Sequence, residues 1–422
     1  MIRFYNGYIL SFGGRIKLRS GEVWTDGEKI VHVGNAPAVL PSFEREIDLA
    51  GDVIMPGFKN AHTHSAMVLF RSLADDMELH QWLSERIWPN EARMDEEAVY
   101  DLTKLAIMEY LSSGITASFD MYVKNDSYAK ANVDAGFRTV ICSGMNDFDR
   151  DITNIEREYI RFNSFHPLVS YSLGIHGEYT TGLERLEYMA SLVAKYKSPC
   201  FTHLCETTDE VEGCLGRHGV TPPQILDKLG LFRYGGGGFH CVWLTEADME
   251  LMADRGLWAV TCPGSNLKLA SGIAPIDMLS SKGVKLAIGT DGAGSNNALD
   301  FFREMYLVSV LQKQLNGDAA AGCADRTLEM ACVGGARAMG LENCDDLAVG
   351  KLADLVVIDM KSPNMHPVNN IARNIVYSGS KSNVRMTMVN GVVRYEKGEY
   401  FIGEDTQELY KRVKEHVSRI IR

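Results

Sequence analysis

Two histidines separated by one residue, His62 and His64, are the first pair whose types and spacing could do chemistry. On extended chain, residues two apart point to the same face, so both imidazoles can reach one cation. Three more residues with metal-binding or acid–base side chains follow or end predicted strands, and they are His203, His240 and Asp291. A lone pair of this kind is weak evidence, because most histidines are hydrogen-bonded structural groups. The five residues together predict a metal site.

The elements expected around these residues would bring them to one place. Between 56 and 343, short apolar runs alternate with amphipathic helical stretches such as 96–111, which Gly114 ends, and 183–196. Eight such units favour a (β/α)8 barrel, whose usual length is about 250 residues and whose reactive side chains stand where strands end. A doubly wound open sheet is the rival, but its Gly-rich first turn is absent here. The predicted barrel strands are 53–55, 115–119, 139–142, 168–173, 200–203, 239–242, 258–261 and 286–288.

The two chain ends, 1–55 and 344–422, carry short alternating strands instead of strand–helix units. Hairpin signals stand at Asp26-Gly27 and at Asn390-Gly391. Each end alone is too small to bury a sheet face, so we predict that both ends combine into one small β-sandwich domain, with a helix over 408–422. The four glycines at 235–238 are predicted to form a flexible turn before the sixth strand, since no phosphate-binding Gly-Lys-Ser/Thr follows them.

Composition excludes several classes of function. The chain has 422 residues and a formal net charge of −12, and it has no Lys/Arg run that would form a basic patch for nucleic acid. No apolar run approaches the ~20 residues that cross a bilayer, and the N-terminus lacks a leader pattern. The nine cysteines are scattered without a Cys-x-x-Cys pair, which is typical of reduced thiols in the cytoplasm. We expect a cytoplasmic protein that acts on a small molecule, without nucleic acid or membrane partners, and we also expect a homo-oligomer.

Motifs along essentially the whole chain resemble the amidohydrolase superfamily and, within it, the methylthioadenosine/S-adenosylhomocysteine deaminases. The resemblance implies a metal-dependent barrel and a re-entry of the chain into the small β domain near the C-terminus. The motifs are PG at 56–57 with HTH at 62–64, HLCET at 203–207, HCV at 240–242, PGSNLKL at 263–269, GTDGAGSNN at 289–297 and GKLADLV at 350–356.

The resemblance implies that one divalent metal is bound by His62, His64, His203 and Asp291. Imidazole and carboxylate ligands suit Zn²⁺, with Fe²⁺ or Mn²⁺ as alternatives. The stretch 168–176 has no lysine that could form a bridging carbamate, which argues against the two-metal members of the superfamily. Bound zinc lowers the pKa of its water from about 15.7 to about 7, so that hydroxide is available at neutral pH to attack C6 of a purine.

The same resemblance assigns the proton transfers of a hydrolytic deamination. Glu206 would protonate N1 of the purine, Asp291 would take the proton of the attacking water, and His240 would orient the hydroxide. Ammonia then leaves, and an inosine-type product remains. Glu206 could instead be a surface carboxylate at a helix start, but its register with His203 argues against this reading.

Residues downstream of the first barrel strand match the family's positions for an adenine nucleoside. Trp82 would pack against the base or the 5′ group, and Glu91 would accept hydrogen bonds from the ribose hydroxyls. His176 resembles the family's substrate-contacting histidine, and His203 is expected to lie against the substrate as well as the metal. The structural alternatives are a core tryptophan, a solvated glutamate and a hydrogen-bonded histidine at the barrel mouth.

The chain departs from the family pattern just after the third strand. Members that handle S-adenosylhomocysteine present arginines to its carboxylate, one of them at this place, where the present chain reads CSGM at 142–145. Arg150 is the nearest basic candidate for substrate binding. The missing arginine predicts a neutral 5′ group, as in methylthioadenosine, 5′-deoxyadenosine or adenosine.

Two alternatives stay open at this point. One is another hydrolase with the same metal site, such as a guanine, cytosine or 8-oxopurine deaminase or a triazine hydrolase, against which Trp82, Glu91 and His176 favour a ribosyl purine. The other is a non-catalytic barrel whose metal is structural. The presence of Glu206 argues against it, because a closed structural site needs no proton carrier.

Overall fold

The computed structural model describes residues 1–73, 75–77, 81–148 and 151–421. Their strands, in chain order, are β1 (Ile2–Ser11), β2 (Lys17–Asp26), β3 (Lys29–Gly34), β4 (Arg45–Asp48), β5 (Val53–Pro56), β6 (Phe58–Thr63), β7 (Ile115–Met121), β8 (Arg138–Cys142), β9 (Val169–Gly174), β10 (Cys200–Leu204), β11 (Gly236–His240), β12 (Trp258–Thr261), β13 (Lys285–Ile288), β14 (Leu355–Ile358), β15 (Val384–Val389), β16 (Val392–Glu396) and β17 (Glu399–Tyr400).

The α-helices lie mainly between the barrel strands. They are α1 (Trp88–Glu91), α2 (Glu96–Ser112), α3 (Asn125–Ala135), α4 (Asn154–Phe162), α5 (Leu183–Tyr196), α6 (Thr208–His218), α7 (Pro222–Leu229), α8 (Glu246–Asp254), α9 (Pro263–Lys268), α10 (Ile276–Lys282), α11 (Phe301–Asn316), α12 (Ala324–Glu329), α13 (Gly335–Ala338), α14 (Ile371–Arg373) and α15 (Thr406–Ile420). Short π-helical and 3₁₀ segments add to them, among them Trp82–Ile87, Ser65–Phe70 and Glu178–Thr180.

The strands β6 to β13 form a parallel barrel in which each strand pairs with the next along the chain. The circle closes at the carboxyl ends, where the backbone N–H groups of Thr290 and Asp291 donate to the carbonyl of His62 at 3.1 and 3.0 Å. Phe119, Phe201 and Phe239 fill the barrel interior with buried side chains. The predicted fold class is confirmed, and the reactive ends of the strands face one mouth.

The first barrel strand differs from the prediction. Residues 53–55 belong to β5, which pairs antiparallel with β14 in the small sheet, and the barrel begins only at β6. His62 therefore lies inside a strand instead of following one. The prediction was wrong here because two short strands of different sheets stand in sequence on either side of Gly57, and an apolar run does not reveal its partner.

The glycine stretch was also interpreted wrongly as a turn. Gly236, Gly237 and Gly238 form most of β11, in parallel register with β10. A Cβ at Gly236 or Gly237 would collide with the backbone carbonyl oxygens of Cys200 or Trp258 in the neighbouring strands. Glycine is needed here because the strands approach closely, which sequence periodicity does not show.

The two chain ends combine, as predicted, and their strands form one mixed sheet. Its nine strands run in the order β17-β16-β15-β14-β5-β1-β2-β3, with β4 paired to β1. The sheet encloses an apolar core of its own, to which Phe4, Ile54 and Met386 belong. The predicted boundaries at 55/56 and 343/344 stay a prediction.

The predicted helices occur with small shifts at their ends. The helix α2 begins where the side chain of Asp95 accepts from the backbone N–H of Ala98, and α5 spans the predicted residues. The C-terminal helix α15 packs on the barrel exterior through His416, whose Nε2 lies 2.9 Å from the carboxylate of Asp101 in α2. A membrane-crossing helix is absent from the described parts of the chain, where no helix combines the necessary length and apolarity.

A buried ion pair joins the barrel to the small sheet. Nε of Arg138, at the start of β8, donates to the carboxylate of Asp354 at 2.6 Å, and both side chains are almost completely buried. The backbone N–H of Asn390 donates to the same carboxylate at 2.7 Å. Burial alone would raise the pKa of Asp354, but the charge and hydrogen bonds of Arg138 hold it below its usual range.

Candidate active site

The histidines at the barrel mouth are oriented by backbone carbonyls. Nδ1 of His64 lies 2.5 Å from the carbonyl oxygen of Met121 at the end of β7, and Nδ1 of His203 lies 2.5 Å from that of His176. Because a carbonyl only accepts, each Nδ1 carries a proton, so the neutral form of each ring has its lone pair on Nε2. Both Nε2 atoms are thereby available as metal ligands.

The free ligand atoms converge at distances that suit one small cation. Nε2 of His64 lies 3.4 Å from Nε2 of His203 and 3.2 Å from Oδ1 of Asp291. Nε2 of His62 lies 3.5 Å from the same oxygen. In a tetrahedral site with bonds near 2.1 Å, neighbouring ligand atoms are about 3.4 Å apart. The separations in the protein match that value.

The ring of His62 is completely buried, yet neither of its nitrogens has a hydrogen-bond partner among the described residues. It stacks on Phe239 with ring centroids 3.8 Å apart. Burial lowers the pKa of His62 to about 3, so the ring is neutral and can donate a lone pair. An unpartnered buried nitrogen is costly, and a cation at this point would remove the cost. The residues therefore fit a divalent metal.

Asp291 presents one oxygen to the histidines and anchors the other. Its Oδ2 accepts from the hydroxyls of Ser265 and Ser295 at 2.6 and 2.7 Å. Burial alone would raise the pKa of Asp291, but the imidazoles of His62 and His64 next to its Oδ1 hold that pKa well below its usual range. The carboxylate is ionised, as a metal ligand must be.

Glu206 and His240 lie next to the histidine cluster. Oε2 of Glu206 lies 3.6 Å from Nε2 of His240, and Oε1 accepts from Ser271 at 3.4 Å. Nδ1 of His240 is 2.7 Å from Oδ1 of Asn266. Burial raises the pKa of Glu206, which favours a carboxyl group that can hold a proton. His240 also belongs to a second group of close donor atoms, with His62 and His203.

A cavity of about 550 Å³ opens at this mouth of the barrel. Nearly all the predicted site residues line it, and they are His64, Trp82, Glu91, His176, His203, Glu206, His240 and Asp291. His62 lies beneath the cavity wall, within the same cluster of ligand atoms. Arg150 lies outside the described residues.

The predicted substrate residues occupy different walls of the cavity. Trp82 begins the π-helical segment Trp82–Ile87 and is 4% exposed. Glu91 ends α1, where burial raises the pKa of its carboxyl group and the hydroxyl of Tyr122 beside it has the opposite effect. Nδ1 of His176 lies 2.9 Å from the hydroxyl of Thr180, and burial lowers the pKa of His176 to about 4. Its neutral ring can exchange hydrogen bonds with a ligand.

The wall after β8 lacks a cationic side chain among the described residues. Ser143 exchanges hydrogen bonds with the backbone of Gly174 in β9, at 2.8 and 2.7 Å, and so turns away from the cavity. Gly144 lines the cavity in its place. Among the described residues that line the cavity, one has a Lys or Arg side chain. It is Lys124, which is exposed and lies at the start of α3.

Several residues of the site were not predicted. Ser265, Asn266 and Ser295 hold Asp291 and His240, and they lie in the stretches 263–269 and 289–297 that carried the family resemblance. Their positions in those stretches were the only signal, since a hydroxyl or amide gives no indication of its partner in sequence. Tyr122 follows β7 and had no sequence signal.

The comparisons with known proteins agree with this geometry. A family model described as the amidohydrolase family matches residues 53–394. The chain therefore belongs to the amidohydrolase family, and its similarity lies with deaminases of that family. It is 38% identical over 401 residues to a 5-methylthioadenosine/S-adenosylhomocysteine deaminase of Moorella thermoacetica, covering 93% of this chain and 94% of the relative.

Two further relatives carry related names. A 5′-deoxyadenosine deaminase of Methanopyrus kandleri is 38% identical over 374 residues, covering 87% of this chain and 86% of the relative. A crystal structure of an adenosine deaminase from Xanthomonas campestris, with bound zinc, superimposes with a TM-score of 0.93 at 32% identity, covering 99% of this chain and 98% of that one.

Proposed function

We propose that this chain is a hydrolytic deaminase that releases the 6-amino group of an adenine nucleoside as ammonia. The observation that carries the proposal is that one cavity is lined by three of the predicted metal ligands, by Glu206, and by Trp82 and Glu91, the residues predicted to bind the nucleoside. The names of the deaminase relatives support the same reaction.

We propose zinc, held by His62, His64, His203 and Asp291, as the metal. When bound, it supplies Lewis-acid chemistry that lowers the pKa of a water molecule toward neutrality. The fit of these residues to a small divalent cation supports this assignment, and so does the zinc in the similar adenosine deaminase structure. Fe²⁺ and Mn²⁺ are the alternatives, to be distinguished by elemental analysis.

The chain's own residues move the protons of the reaction. Glu206 gives a proton to N1 of the purine, which makes C6 electrophilic, and His240 orients the attacking water through Nε2. Asp291 takes the proton from that water as its oxygen bonds to C6. The C6–N6 bond then breaks, and the amino group leaves as ammonia with the proton that Asp291 took from the water. The remaining hydroxyl proton at C6 returns to Glu206, and an inosine-type product with a C6 carbonyl remains.

Substrate binding is assigned to residues on the other walls. Trp82 packs against the base or 5′ group, Glu91 accepts from the ribose hydroxyls, and His176 and His203 contact the purine. This set favours a nucleoside substrate over the free bases guanine and cytosine, over 8-oxopurines and over triazines. The presence of Glu206 argues against a non-catalytic role, because a structural metal site needs no group that transfers protons.

We further propose a neutral 5′ group, such as that of methylthioadenosine, 5′-deoxyadenosine or adenosine. Two features support this proposal: Ser143 is turned away from the cavity by its hydrogen bonds to Gly174, and residue 144 is a glycine. Neither residue offers a positive charge to a substrate carboxylate. Arg150 is retained as a candidate contact. Ammonia release from a panel with S-adenosylhomocysteine tests the preference, and a higher kcat/KM for S-adenosylhomocysteine than for methylthioadenosine would contradict it. In that case Lys124→Ala should lower kcat/KM for S-adenosylhomocysteine and leave kcat/KM for methylthioadenosine unchanged.

The central experiment is the variant Glu206→Gln. The amide cannot donate the proton to N1, so we expect ammonia release to fall by about 10³-fold or more while the metal content stays that of the wild type. Glu212→Gln, at an exposed position on α6, is the matched control. Retention of more than a tenth of the activity would refute the role of Glu206, and an inactive wild type across the panel would refute the function.

We also propose that the protein works in the cytoplasm. Its nine cysteines, all in described parts of the chain, are free, and eight of them are buried, which fits a reducing compartment. A homo-oligomer stays a prediction, which sedimentation analysis can test.

A further inference from the structure

The loop that carries Glu206 is short and strained. Only residues 205–207 connect β10 to α6, and Cys205 adopts φ of +52°, the left-handed region that non-glycine residues rarely occupy. A strained backbone persists where neighbouring groups hold it in place. The direction of the Glu206 side chain therefore depends on whatever fixes this turn.

Glu210, one helical turn further on, is the group that holds it. Its Oε1 accepts from the backbone N–H of Cys205 at 2.8 Å, and its Oε2 accepts from that of Glu206 at 2.8 Å. The side chain is 4% exposed, so both hydrogen bonds are shielded from water. Thr207 caps the same helix by accepting from the backbone N–H of Glu210. Both carboxylate oxygens of Glu210 thus hold the backbone of Cys205 and Glu206, and this backbone positions the Glu206 carboxyl group.

We propose that Glu210 is a positioning residue for the deamination, which fixes the reach of Glu206 toward the substrate. The inference rests on the proposed function. The link is direct, because the amide that Glu210 binds belongs to Glu206 itself. The 3.6 Å approach of the Glu206 carboxylate to His240 and the contact with Ser271 both start from that backbone position.

The variant Glu210→Gln tests the two hydrogen bonds of Glu210 while keeping the size of its side chain. Glutamine has nearly the same shape, but a carboxamide offers one accepting oxygen and one N–H group. One of the two backbone N–H groups would then face another donor, and the turn would shift. A misplacement of about 1 Å can cost about 10²-fold in rate, even when the substrate still binds.

The test compares Glu210→Gln with Glu212→Gln, an exposed position two residues away on the same helix. Wild-type ammonia release from methylthioadenosine or adenosine is established first, so that a failure of the proposed function is recognised separately. For Glu210→Gln we expect kcat to fall by about tenfold to hundredfold, with KM within about threefold and metal content as in the control.

Two outcomes would overturn the proposal. One is a kcat within threefold of the wild type, and the other is a loss of metal or a rise in KM as large as the loss in kcat. If Glu210→Gln does not fold, Glu210→Asp is measured by the same criteria, since its shorter side chain cannot reach both amides. If neither variant folds, Glu210 is a folding residue and the proposal is wrong.

Discussion

Nδ1 of His240 lies 2.7 Å from Oδ1 of Asn266, and both side chains are buried at the barrel mouth. An amide oxygen only accepts, so this contact keeps a proton on Nδ1 and leaves Nε2 of His240 facing the cavity. His240 ends β11, whereas Asn266 lies in α9 after β12. The orientation of a residue in one barrel strand is thus set by the helix that follows the next strand.

Replacement of Asn266 by alanine should impair catalysis more than binding. It leaves the Nδ1–H of His240 buried without an acceptor, which costs about 1–3 kcal/mol and frees the ring to rotate. We expect kcat to fall by about tenfold or more, measured as ammonia release. Asn266→Asp keeps the acceptor and should retain more activity than the alanine variant. Equal activity of Asn266→Ala and the wild type would contradict the orienting role.

Removal of the metal should abolish activity and lower stability together. Neither nitrogen of His62 has a hydrogen-bond partner in the described parts of the chain, and Asp291 is ionised, which indicates a folded state that gains from a bound cation. Dialysis against a chelator should stop ammonia release and lower the Tm, and one equivalent of Zn²⁺ should restore both. An unchanged Tm after verified metal loss would show that the cluster does not depend on a cation.

Glu91 should discriminate nucleosides by their ribose hydroxyls. A hydrogen bond to a charged group contributes about 1.5–3 kcal/mol, so Glu91→Ala should lower kcat/KM for adenosine by about tenfold to hundredfold. The wild type should prefer adenosine strongly over 2′,3′-dideoxyadenosine, and the variant should lose this preference. If the variant still discriminates as the wild type does, another residue binds the ribose.

The ion pair of Arg138 with Asp354 should stabilise the junction of barrel and sheet. Asp354→Ala leaves a buried guanidinium without its partner, and we expect the free energy of unfolding to fall by about 3–5 kcal/mol, measured in urea. Asp227→Ala breaks the pair with Arg255, whose side chain is half exposed, and should lower the free energy of unfolding far less than Asp354→Ala does. The kcat/KM of both variants at a permissive temperature should equal that of the wild type.

The same pair gives a stability difference that depends on pH. Because the pKa of Asp354 is lowered in the folded state, its contribution is present above the unfolded carboxyl pKa of about 3.9. It is lost as the pH falls through the lower pKa of the folded state. The gap in stability between the wild type and Asp354→Ala should therefore stay constant near neutrality and shrink in acid. A gap that widens in acid would contradict this sign.

Much of the site could be predicted because its chemistry is local in sequence. The pair His62 and His64 acts together through the two-residue repeat of extended chain, and His203 and Glu206 sit three residues apart at one strand end. The strand and helix alternation then placed these stretches at one barrel mouth. The positions of Trp82, Glu91 and His176 followed from the family resemblance, and their roles stay predictions.

Other features depend on partners that are distant along the chain. The small-sheet strand β5 was interpreted as part of the barrel because its pairing with β14 joins residues about three hundred positions apart. The glycines of β11 were interpreted as a turn because the requirement for them comes from carbonyls of β10 and β12. The stretch 142–145 was recognised as lacking the arginine of the family pattern, but the hydrogen bonds of Ser143 to β9 could not be predicted from the sequence.

By itself, the sequence determined the types of the candidate metal ligands, the two-residue spacing of His62 and His64, and the barrel class. Only the tertiary structure decided how these groups are held: Asp291 by two serines, His240 by Asn266, and the Glu206 turn by the carboxylate of Glu210. The physical reason is that hydrophobic periodicity is written along the chain, whereas a hydrogen bond between loops depends on distances and directions that exist only after the barrel closes.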